Sequence, residues 1–376
     1  MTLNLSKSVV ALGACLSLAL LAGCAAPSSG SADKAQAPSA AAPAAVQRQD
    51  VAVGLYEIAA ASPSALFVAA TPSFEKTQGG LLYQVDPATL QVARTLKLDR
   101  RAFALGYNRK TGLLYVGNTL DGSLTVVEAA SGTVKGIVQV GQPDAKGEAP
   151  HTRKVIVDEA GNRIFVTSPE QEGKVWIVDG ATGRVTKTFE AVGKWSTGAA
   201  YDAAAKRLYV GHGGRNQIVV IDVDAQTIVQ RLDVPDGQEH YFINLALDNQ
   251  GQRIFAADAQ QNALLVIDPR NGQVLKRVDT GLGTLDVLFN AARQEVYVTN
   301  RGVSREQPVG SGKLTVIDAV TYAVKRTVDL PVHPNSLALS ADGQTLYATV
   351  KAPHGDKHPA YRKGALDSVV RIPLGR

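Results

Sequence analysis

The chain has little cysteine and only a mild net charge. Its 376 residues include two cysteines, Cys15 and Cys24, and carry a formal net charge of +5. No nucleophile elbow, paired-cysteine motif or phosphate-binding loop occurs in it. These absences exclude a cysteine-rich metal site, and the charge is not by itself that of a nucleic-acid-binding protein. Hydrophobic residues make up 45% of the sequence, which fits a well-buried globular fold.

The N-terminus has the pattern of a bacterial export signal. Lys7 supplies a positive region, and residues 9–22 form an apolar stretch shorter than the roughly 20 residues that span a bilayer. Residues 21–24 (LAGC) resemble a lipobox, in which the cysteine becomes the lipidated N-terminus. We therefore predict a signal peptide over residues 1–23 and lipidation of Cys24. The alternative is an ordinary signal peptide followed by a chance cysteine.

The predicted processing sets the location and the redox state of the mature protein. Cys15 leaves with the signal peptide and Cys24 is acylated, so the mature fold has no free thiol and no disulfide. Ala25, rather than an aspartate, follows Cys24, so we expect a periplasmic protein held at the outer membrane. Residues 24–48 are rich in Ala, Ser and Pro and are predicted to be a disordered tether. The lipid is then the only membrane contact.

The rest of the chain, residues 49–376, repeats one pattern seven times. Each repeat has an aromatic residue in an apolar strand, and most continue into a strand that ends in Asp or Glu. The aromatic anchors are Phe67, Tyr115, Phe165, Tyr209, Phe255, Tyr297 and Tyr347. Repeats of about 40 to 50 residues with several short strands are typical of a β-propeller. We predict an all-β, seven-bladed propeller of four-stranded antiparallel blades.

The seventh repeat lacks a fourth strand. Its predicted strands lie near residues 335–340, 345–350 and 368–373. Residues 49–53 precede the inner strand of blade 1 and could supply the missing strand of blade 7. Joining both ends of the chain in one blade removes two exposed sheet edges. We predict that the ring closes in this way.

Two of the repeats carry a recognisable signature. Residues 115–118 (YVGN) and 297–300 (YVTN) resemble the YVTN-repeat β-propeller family. Residues 193–198 (GKWSTG), 239–244 (EHYFIN) and 333–343 (HPNSLALSADG) are similar to its YncE-like periplasmic branch. The resemblance implies a seven-bladed propeller without a settled enzymatic activity, and single-stranded DNA binding has been associated with this branch. The lipobox and the blade-7 loop, residues 351–367, depart from the branch.

Propeller topology places the blade connections and the loops between second and third strands on one face. All six histidines fall there, on connections or on such loops: His151, His212, His240, His333, His354 and His358. We predict that this face, which carries the longer loops, binds the ligand. The residues predicted to bind a ligand are Tyr56, Arg100, Arg101, His151, Arg153, Lys154, Lys194, Trp195, His240, Tyr241, Asn244, His333 and Asn335.

The inner strands are predicted to line the central channel. Eleven residues before each aromatic anchor stands a largely polar column, which we place at the funnel mouth: Tyr56, Ala104, Lys154, Gly198, Asn244, Asp286 and Ser336. The next position holds Glu57 in blade 1 and apolar residues in all other blades. Glu57 is either a desolvated catalytic acid or a hydrogen-bonded residue that pins blade 7 to blade 1, and the second interpretation is favoured.

A metal site and an enzyme are the sharper alternatives. His151, His240 and His333 enter blades 3, 5 and 7, which are too widely spaced for ligand distances of about 2.0–2.1 Å, so we predict no metal and no cofactor. A lactonase-like hydrolase that uses the axial funnel would take Glu239, His240 and Asp286 as acid–base residues. That hypothesis rests on fold analogy alone.

The favoured function is a non-enzymatic binding protein or scaffold. Single-stranded DNA would stack on Trp195, Tyr241 and Phe242, while basic residues meet its phosphates. The predicted basic track comprises Arg100, Arg101, Arg153, Lys194, Lys351, Lys357, Arg362 and Lys363. An envelope protein or an envelope polymer is the alternative partner, and the protein is expected to be a monomer.

Overall fold

The computed structural model describes residues 45–375, apart from residues 76, 249 and 354. The regular elements of this part are strands, which form seven four-stranded sheets. None of the described residues belongs to a helix long and apolar enough to cross a membrane. The prediction of an all-β propeller with seven four-stranded antiparallel blades is confirmed. The predicted signal peptide, Cys24 and the tether as far as residue 44 lie outside the described residues.

Six of the blades contain four consecutive strands, which run from the channel outwards, and blade 7 takes its outermost strand from the start of the propeller, β1 (Gln47–Ala52). Blades 1 to 3 contain β2 (Leu55–Ser62), β3 (Ala65–Ala70), β4 (Gly80–Val85), β5 (Val92–Leu98), β6 (Ala104–Asn108), β7 (Leu113–Asn118), β8 (Ser123–Glu128), β9 (Thr133–Gln139), β10 (Lys154–Asp158), β11 (Arg163–Ser168), β12 (Lys174–Asp179) and β13 (Val185–Phe189). Blades 4 to 6 contain β14 (Ser196–Asp202), β15 (Arg207–His212), β16 (Gln217–Asp222), β17 (Thr227–Asp233), β18 (Phe242–Leu247), β19 (Ile254–Asp258), β20 (Ala263–Ile267), β21 (Val274–Asp279), β22 (Thr284–Asn290), β23 (Glu295–Asn300), β24 (Gly312–Asp318) and β25 (Val324–Leu330). Blade 7 adds β26 (Pro334–Leu339), β27 (Thr345–Val350) and β28 (Asp367–Pro373).

The blades pack face to face through their buried middle strands. All seven aromatic anchors lie in the second strand of their blade and are 6% exposed or less. Each hydrophobic cluster combines two neighbouring blades; Phe165 of blade 3, for example, packs with Leu208 and Val219 of blade 4. The outermost strands, such as β9, are largely exposed. The ring is therefore built from nearest-neighbour interfaces, which explains how so long a repeat region is stable without one central core.

The aspartates that end the third strands build the turns to the outer strands. Asp86 Oδ1 accepts hydrogen bonds from the backbone N–H groups of Ala88 and Thr89, at 2.9 and 2.7 Å. Asp179, Asp222 and Asp318 accept the equivalent bonds in their own blades. These bonds, chiefly those from the residue three positions on, hold the pKa of each carboxyl below its usual value. The recurring Asp of the repeat is thus a turn residue.

The N-terminal strand closes the ring as predicted. β1 pairs antiparallel with β28 and begins at Gln47, two residues before the predicted start of the closing segment. Asp367, the first residue of β28, secures the junction. Its Oδ2 accepts hydrogen bonds from the backbone N–H groups of Gly54 and Leu55, at 3.0 and 2.9 Å. The pairing of β1 with β28 completes blade 7, and the buried carboxylate of Asp367 ties this blade to the start of blade 1.

The inner strand of blade 1 is shifted by one residue relative to the other blades. In blade 2 the residue ten before the anchor, Leu105, pairs with Val116, and blade 6 pairs in the same way. In blade 1 it is Ile58, nine before the anchor, that pairs with Val68, because the hairpin is one residue shorter. Glu57 therefore occupies the polar column, and Tyr56 precedes it. The prediction that Glu57 lies in the apolar column was wrong, since it assumed a constant hairpin length.

Candidate functional site

The polar column ties the inner strands of neighbouring blades together. Glu57 Oε2 accepts a hydrogen bond from the backbone N–H of Leu105 in blade 2, at 3.0 Å. Asp286 Oδ2 accepts the equivalent bond from Leu337 in blade 7, at 2.8 Å. Asn244 Nδ2 donates to the carbonyl of the next blade, 2.8 Å away. Glu57 thus joins blade 1 to blade 2, not blade 7 to blade 1 as predicted.

Lys154 crosses the channel from blade 3 to blade 1. Its Nζ lies 3.0 Å from Glu57 Oε1, and Arg153 Nη1 lies 3.3 Å from the same oxygen. Blade 2 offers only Ala104 at this level, so the long side chain passes in front of it. Burial alone would lower the pKa of Lys154, but the carboxylates of Glu57 and Asp286 outweigh it and raise the pKa. Burial raises the pKa of Asp286.

Above this level, aromatic side chains line one side of the mouth. The ring of Tyr56 lies 4.2 Å from that of Phe103 and meets the exposed ring of Phe74 edge-on at 6.1 Å. Lys351 Nζ lies 3.6 Å from the centre of the Tyr56 ring. The guanidinium of Arg153 lies 5.3 Å from the centre of the Phe103 ring. A cation therefore lies over each of these two rings.

Two further aromatic residues continue this line through blades 4 and 5. Lys194 Nζ lies 4.4 Å from the centre of the Trp195 ring, and the rings of Trp195 and Tyr241 are 6.1 Å apart. Burial raises the pKa of Tyr241, against the opposing fields of Arg153 and Arg301. Arg153 thus lies over the ring of Phe103 and also influences the pKa of Tyr241. We name Phe74, Tyr56, Phe103, Trp195 and Tyr241 the aromatic arc.

The backbone around Trp195 is built to present these side chains. Trp195 has a φ of 53°, which an aromatic residue adopts only under strain. Its N–H donates to the carbonyl of Glu170, and its carbonyl accepts from the N–H of Gly213. A Cβ on Gly213 would lie 2.4 Å from the Tyr241 ring, and one on Gly214 2.3 Å from the Lys194 side chain. The glycines of this loop make room for the arc.

Arg100 and Arg101 are near the same face but are used inside the fold. Arg101 is only 2% exposed and pairs with Asp121 at 2.5 Å. It also donates to the backbone carbonyls of Phe74 and Leu120. Arg100 Nη1 donates to the carbonyl of Asp121 and to two side chains. Arg101 is therefore buried against its partners, whereas Arg100 is half-buried and lines a cavity of about 360 Å³.

The predicted histidines have separate local partners. His240 is 3% exposed and lies between Asp258, at 2.6 Å, and Asp236, at 2.8 Å. Burial lowers the pKa of His212 to about 3, so this ring is neutral and accepts or donates at Ser196 Oγ. His151 lines an acidic cavity of about 770 Å³ between blades 2 and 3. His333 lines a smaller groove between blades 6 and 7.

The structure does not bring together the three histidines of the metal hypothesis or the acid–base residues of the hydrolase hypothesis. Among the described residues, no group of three or more His, Cys, Asp or Glu side chains could hold a metal ion. Glu239 is exposed, His240 is enclosed by its aspartates, and Asp286 belongs to the polar column.

Asn335 is half-buried at the start of β26. Exposed cations of the blade-7 loop, such as Lys357 and Lys363, lie further along the chain from Lys351.

Arg301, Phe103 and Phe74 belong to the mouth but were not predicted. Arg301 follows the anchor Tyr297 by four residues, as Lys351 follows Tyr347. Reading that position across all repeats would have found it. Phe103 escaped notice because the shift in blade 1 hides its alignment with Tyr56.

Comparison with known proteins supports the fold and places the chain among bacterial relatives. No model of a known protein family matches the chain. It is 37% identical over 331 residues to the uncharacterized protein YncE of Salmonella typhimurium, covering 87% of this chain and 90% of the relative. YncE of Escherichia coli K12 is 36% identical over 330 residues, with the same coverage. The WD40 repeats of RRP9 share the fold, with a TM-score of 0.67 at 15% identity over 88% of this chain and 98% of that one.

Proposed function

This chain belongs to the YncE family of β-propellers, and on that premise we propose that it is a membrane-anchored, extracytoplasmic binding protein without enzymatic activity. Its ligand binds at the axial mouth, and single-stranded nucleic acid is the ligand that this mouth suits best. The protein acts as a monomer, held to the membrane only by the lipid on Cys24.

The observation that carries the proposal is the alternation of aromatic rings and cations around the mouth. Bases stack on aromatic side chains for about 1–3 kcal/mol each, whatever their sequence, and guanidinium or ammonium groups meet the phosphates. Here Lys351 covers Tyr56, Arg153 covers Phe103, and Lys194 covers Trp195. Lys351 is buried against Asp367 and holds the Tyr56 ring in place. A single strand laid along the arc would meet half-buried rings, with Arg153 beside Phe103 and Lys194 beside Trp195 for its phosphates. A duplex would not, because its bases are not exposed for stacking.

The path of the N-terminal strand supports presentation of the mouth away from the membrane. Gln47 pairs with Arg371, and Gln49 Oε1 accepts a hydrogen bond from Gln91 in the turn between β4 and β5. That turn belongs to the face opposite the mouth. A chain that leads from Cys24 to Gln47 therefore reaches the propeller at the opposite face. The mouth would then be open to ligands in solution.

The test is a fluorescence-anisotropy titration with labelled single-stranded oligothymidylate. The protein is the chain from residue 24 with Cys24→Ser, which carries no lipid, and the titration is repeated over a series of salt concentrations. We expect log K to fall with log salt with a slope near −0.7 for each phosphate contact. Trp195→Ala combined with Lys194→Ala should weaken binding by tenfold or more, through the loss of one stacking and one phosphate contact (about 1.4 kcal/mol per tenfold).

The matched control is Lys276→Ala, on the exposed outer strand β21, which should leave the affinity unchanged. No binding at low salt would overturn the nucleic-acid proposal and would favour an envelope protein or polymer as the ligand. Binding that does not respond to salt would show that phosphates are not contacted. Equal loss with the control variant would place the interaction away from the mouth.

Anchoring is tested by fractionation of cells that produce the full chain. The wild-type protein should sediment with membranes, and Cys24→Ser should appear in the soluble extracytoplasmic fraction. A wild-type protein that is already soluble would contradict the lipid anchor. A mutant that still sediments would show that another part of the chain contacts the membrane.

A further inference from the structure

The outer strand of blade 2 presents a sheet edge with exposed apolar side chains. β9 is the last strand of its sheet, and five of its seven residues are exposed. Val134 and Ile137 are 45% and 42% exposed. They stand opposite Val127 and Thr125 of β8, so both lie on one face of the strand. Such an edge is a template for pairing with another strand unless charged residues protect it.

β9 has less of this protection than the other outer strands. Lys135 is its one charged residue, and its Nζ lies 3.7 Å from Glu128 Oε1 of the neighbouring strand. The outer strands β1, β5, β17, β21 and β25 each carry two or three charged residues. β13 also carries one, Lys187, but it is shorter and mostly covered. The register of β9 shifts once, beside Lys135, and is regular from Gly136 to Gln139.

The regular end of β9 leads into the acidic cavity of about 770 Å³ between blades 2 and 3. Val140 and Gly141, which follow the strand directly, line this cavity together with the buried ring of Trp176 from blade 3. Five carboxylate side chains also line it: Asp144, Glu148, Glu170, Glu172 and Glu190. The cavity therefore combines an apolar wall with several negative charges.

Cations nearby neutralise only part of this charge. Lys174 lines the cavity and pairs with Glu190 at 2.9 Å. Burial lowers the pKa of His151, so its ring is neutral near pH 7. Even if the exposed Lys146 and Arg100 of the neighbouring cavity are counted, about two negative charges remain. The other cations of this region have partners of their own: Arg101 with Asp121, Arg153 with Glu57 and Lys194 with the Trp195 ring.

We propose that an extended, basic segment of a partner protein pairs antiparallel with β9 and places a Lys or Arg side chain in the acidic cavity. Main-chain hydrogen bonds to the edge would hold the segment, and the charge of the cavity would select it. Because β9 ends at the cavity, an antiparallel segment begins there, so its basic residues lie at its N-terminal end. This site on the rim is separate from the nucleic-acid ligand proposed for the mouth.

A lysine or arginine side chain suits the cavity better than a metal ion does. Among the described residues, no group of three or more His, Cys, Asp or Glu side chains could hold a metal ion. A long basic side chain can lay its aliphatic stem on Val140 and Trp176 while its charged head meets the carboxylates. The same arrangement gives a reason for a peptide partner, since the stem and the edge are used together.

The experiment is an anisotropy titration of the chain from residue 24 with Cys24→Ser, using heptapeptides labelled at the C-terminus. The peptide KKTVTVT should bind at least tenfold more tightly than EETVTVT, the size of about one charge-assisted interaction. Two further peptides carry N-methyl groups on the valines or on the threonines of KKTVTVT. One of them should lose binding and the other keep it, because only alternate N–H groups of a strand face its neighbour.

Two exposed positions test the site on the protein itself. Glu172→Lys should weaken binding of KKTVTVT about tenfold, and Ile137→Lys should weaken it at least as much by protecting the edge. The matched controls are Glu239→Lys, exposed in blade 5, and Val324→Lys, exposed on the outer strand β25. Both should keep the wild-type affinity. Melting temperatures of all four variants should stay close to that of the wild type, since the changed side chains are exposed.

Equal binding of KKTVTVT and EETVTVT, or binding of neither, would overturn the proposal. Equal binding of the two methylated peptides would contradict strand pairing. A dimer in sedimentation that Ile137→Lys dissociates, without peptide binding, would assign the edge to a second copy of this chain instead. Trp195→Ala combined with Lys194→Ala should leave peptide binding unchanged, so failure of this site and failure of the proposed function can be told apart.

Discussion

Lys154 and Glu57 form an ion pair of 3.0 Å although they belong to blades 3 and 1. Propeller blades otherwise contact only their two neighbours. The pair skips blade 2 because Ala104 leaves space in front of its inner strand. Glu57 also accepts the backbone N–H of Leu105 in blade 2, so one carboxylate connects three blades. This level of the channel is therefore a structural tie, and the function proposed above places the ligand above it.

Loss of either member of this pair should destabilise the ring, whereas loss of both should cost less than the sum. Lys154→Met leaves the buried carboxylate with Arg153 alone and is expected to lower the free energy of unfolding by about 2–3 kcal/mol. The double variant with Glu57→Gln should recover at least 1 kcal/mol, or about half of that loss. Urea unfolding of the three variants measures the coupling. Strict additivity would show that the pair contributes no net interaction.

Arg101 and Arg153, which precede the inner strands of blades 2 and 3, should behave in opposite ways. Arg101→Met should lower the free energy of unfolding by about 3 kcal/mol, because it leaves Asp121 and two carbonyls without their buried partner. Arg153→Met should cost about 1 kcal/mol or less, because Lys154 still pairs with Glu57. It should instead weaken oligonucleotide binding. Thermal melts and anisotropy together separate the roles, and similar stability losses would contradict the assignment.

Trp195→Gly should weaken ligand binding and relieve backbone strain at the same time. The φ of 53° suits glycine, so the change removes about 1 kcal/mol of strain while it removes the indole. We expect a melting temperature close to that of the wild type and oligonucleotide binding weaker by about tenfold. Trp195→Ala keeps the strain and should melt lower than Trp195→Gly. Unchanged affinity in both variants would remove Trp195 from the ligand site.

His240 should make stability depend on pH above neutrality. Burial would lower its pKa, but the hydrogen bonds to Asp258 and Asp236 outweigh burial and raise the pKa above 6.5. Because the folded-state pKa is the higher one, the stabilisation is complete below about pH 6.5 and is lost as pH rises through the folded-state value. Charge-assisted bonds of this kind contribute about 2 kcal/mol.

Melting temperatures of the wild type and of His240→Gln, measured from pH 6 to pH 9, provide the check. The gap between the two proteins should be largest at pH 6 and should narrow as the imidazolium loses its proton. A constant gap would show that His240 does not change its charge in this range. The opposite trend would mean that the imidazole is buried in its neutral form.

Deletion of residues 45–52 should destabilise the whole propeller. It removes β1, exposes the edge of β28 and opens the junction at Asp367. We expect a fall in melting temperature of roughly 5–10 °C, which corresponds to a few kcal/mol in a protein of this size. The control deletion, residues 25–44, precedes the first strand and should leave the melting temperature unchanged. Equal melting of both truncated proteins would contradict a stabilising closure.

Much of the fold was predictable because its signals are local. The aromatic anchors recur at the second strand of each blade, and the Asp residues recur at the turns, since both positions are set by the blade's own hairpins. The closing strand was predictable by counting strands in blade 7. The one-residue shift in blade 1 was not, because its short hairpin resembles an ordinary turn in the sequence. That shift moved Glu57 from the apolar column to the polar one.

The sequence by itself determined the number of blades, their order and the face that carries the elaborate loops. Alternation of period two and turn chemistry act within a few residues, so they can be read without a structure. Only the tertiary structure decided which cations are used inside the fold. Arg101 and Arg153 look alike in sequence, but Arg101 pairs with Asp121, whereas Arg153 pairs with Glu57 of blade 1 and lies over the ring of Phe103. Such encounters depend on ring closure and side-chain reach, which no local pattern encodes.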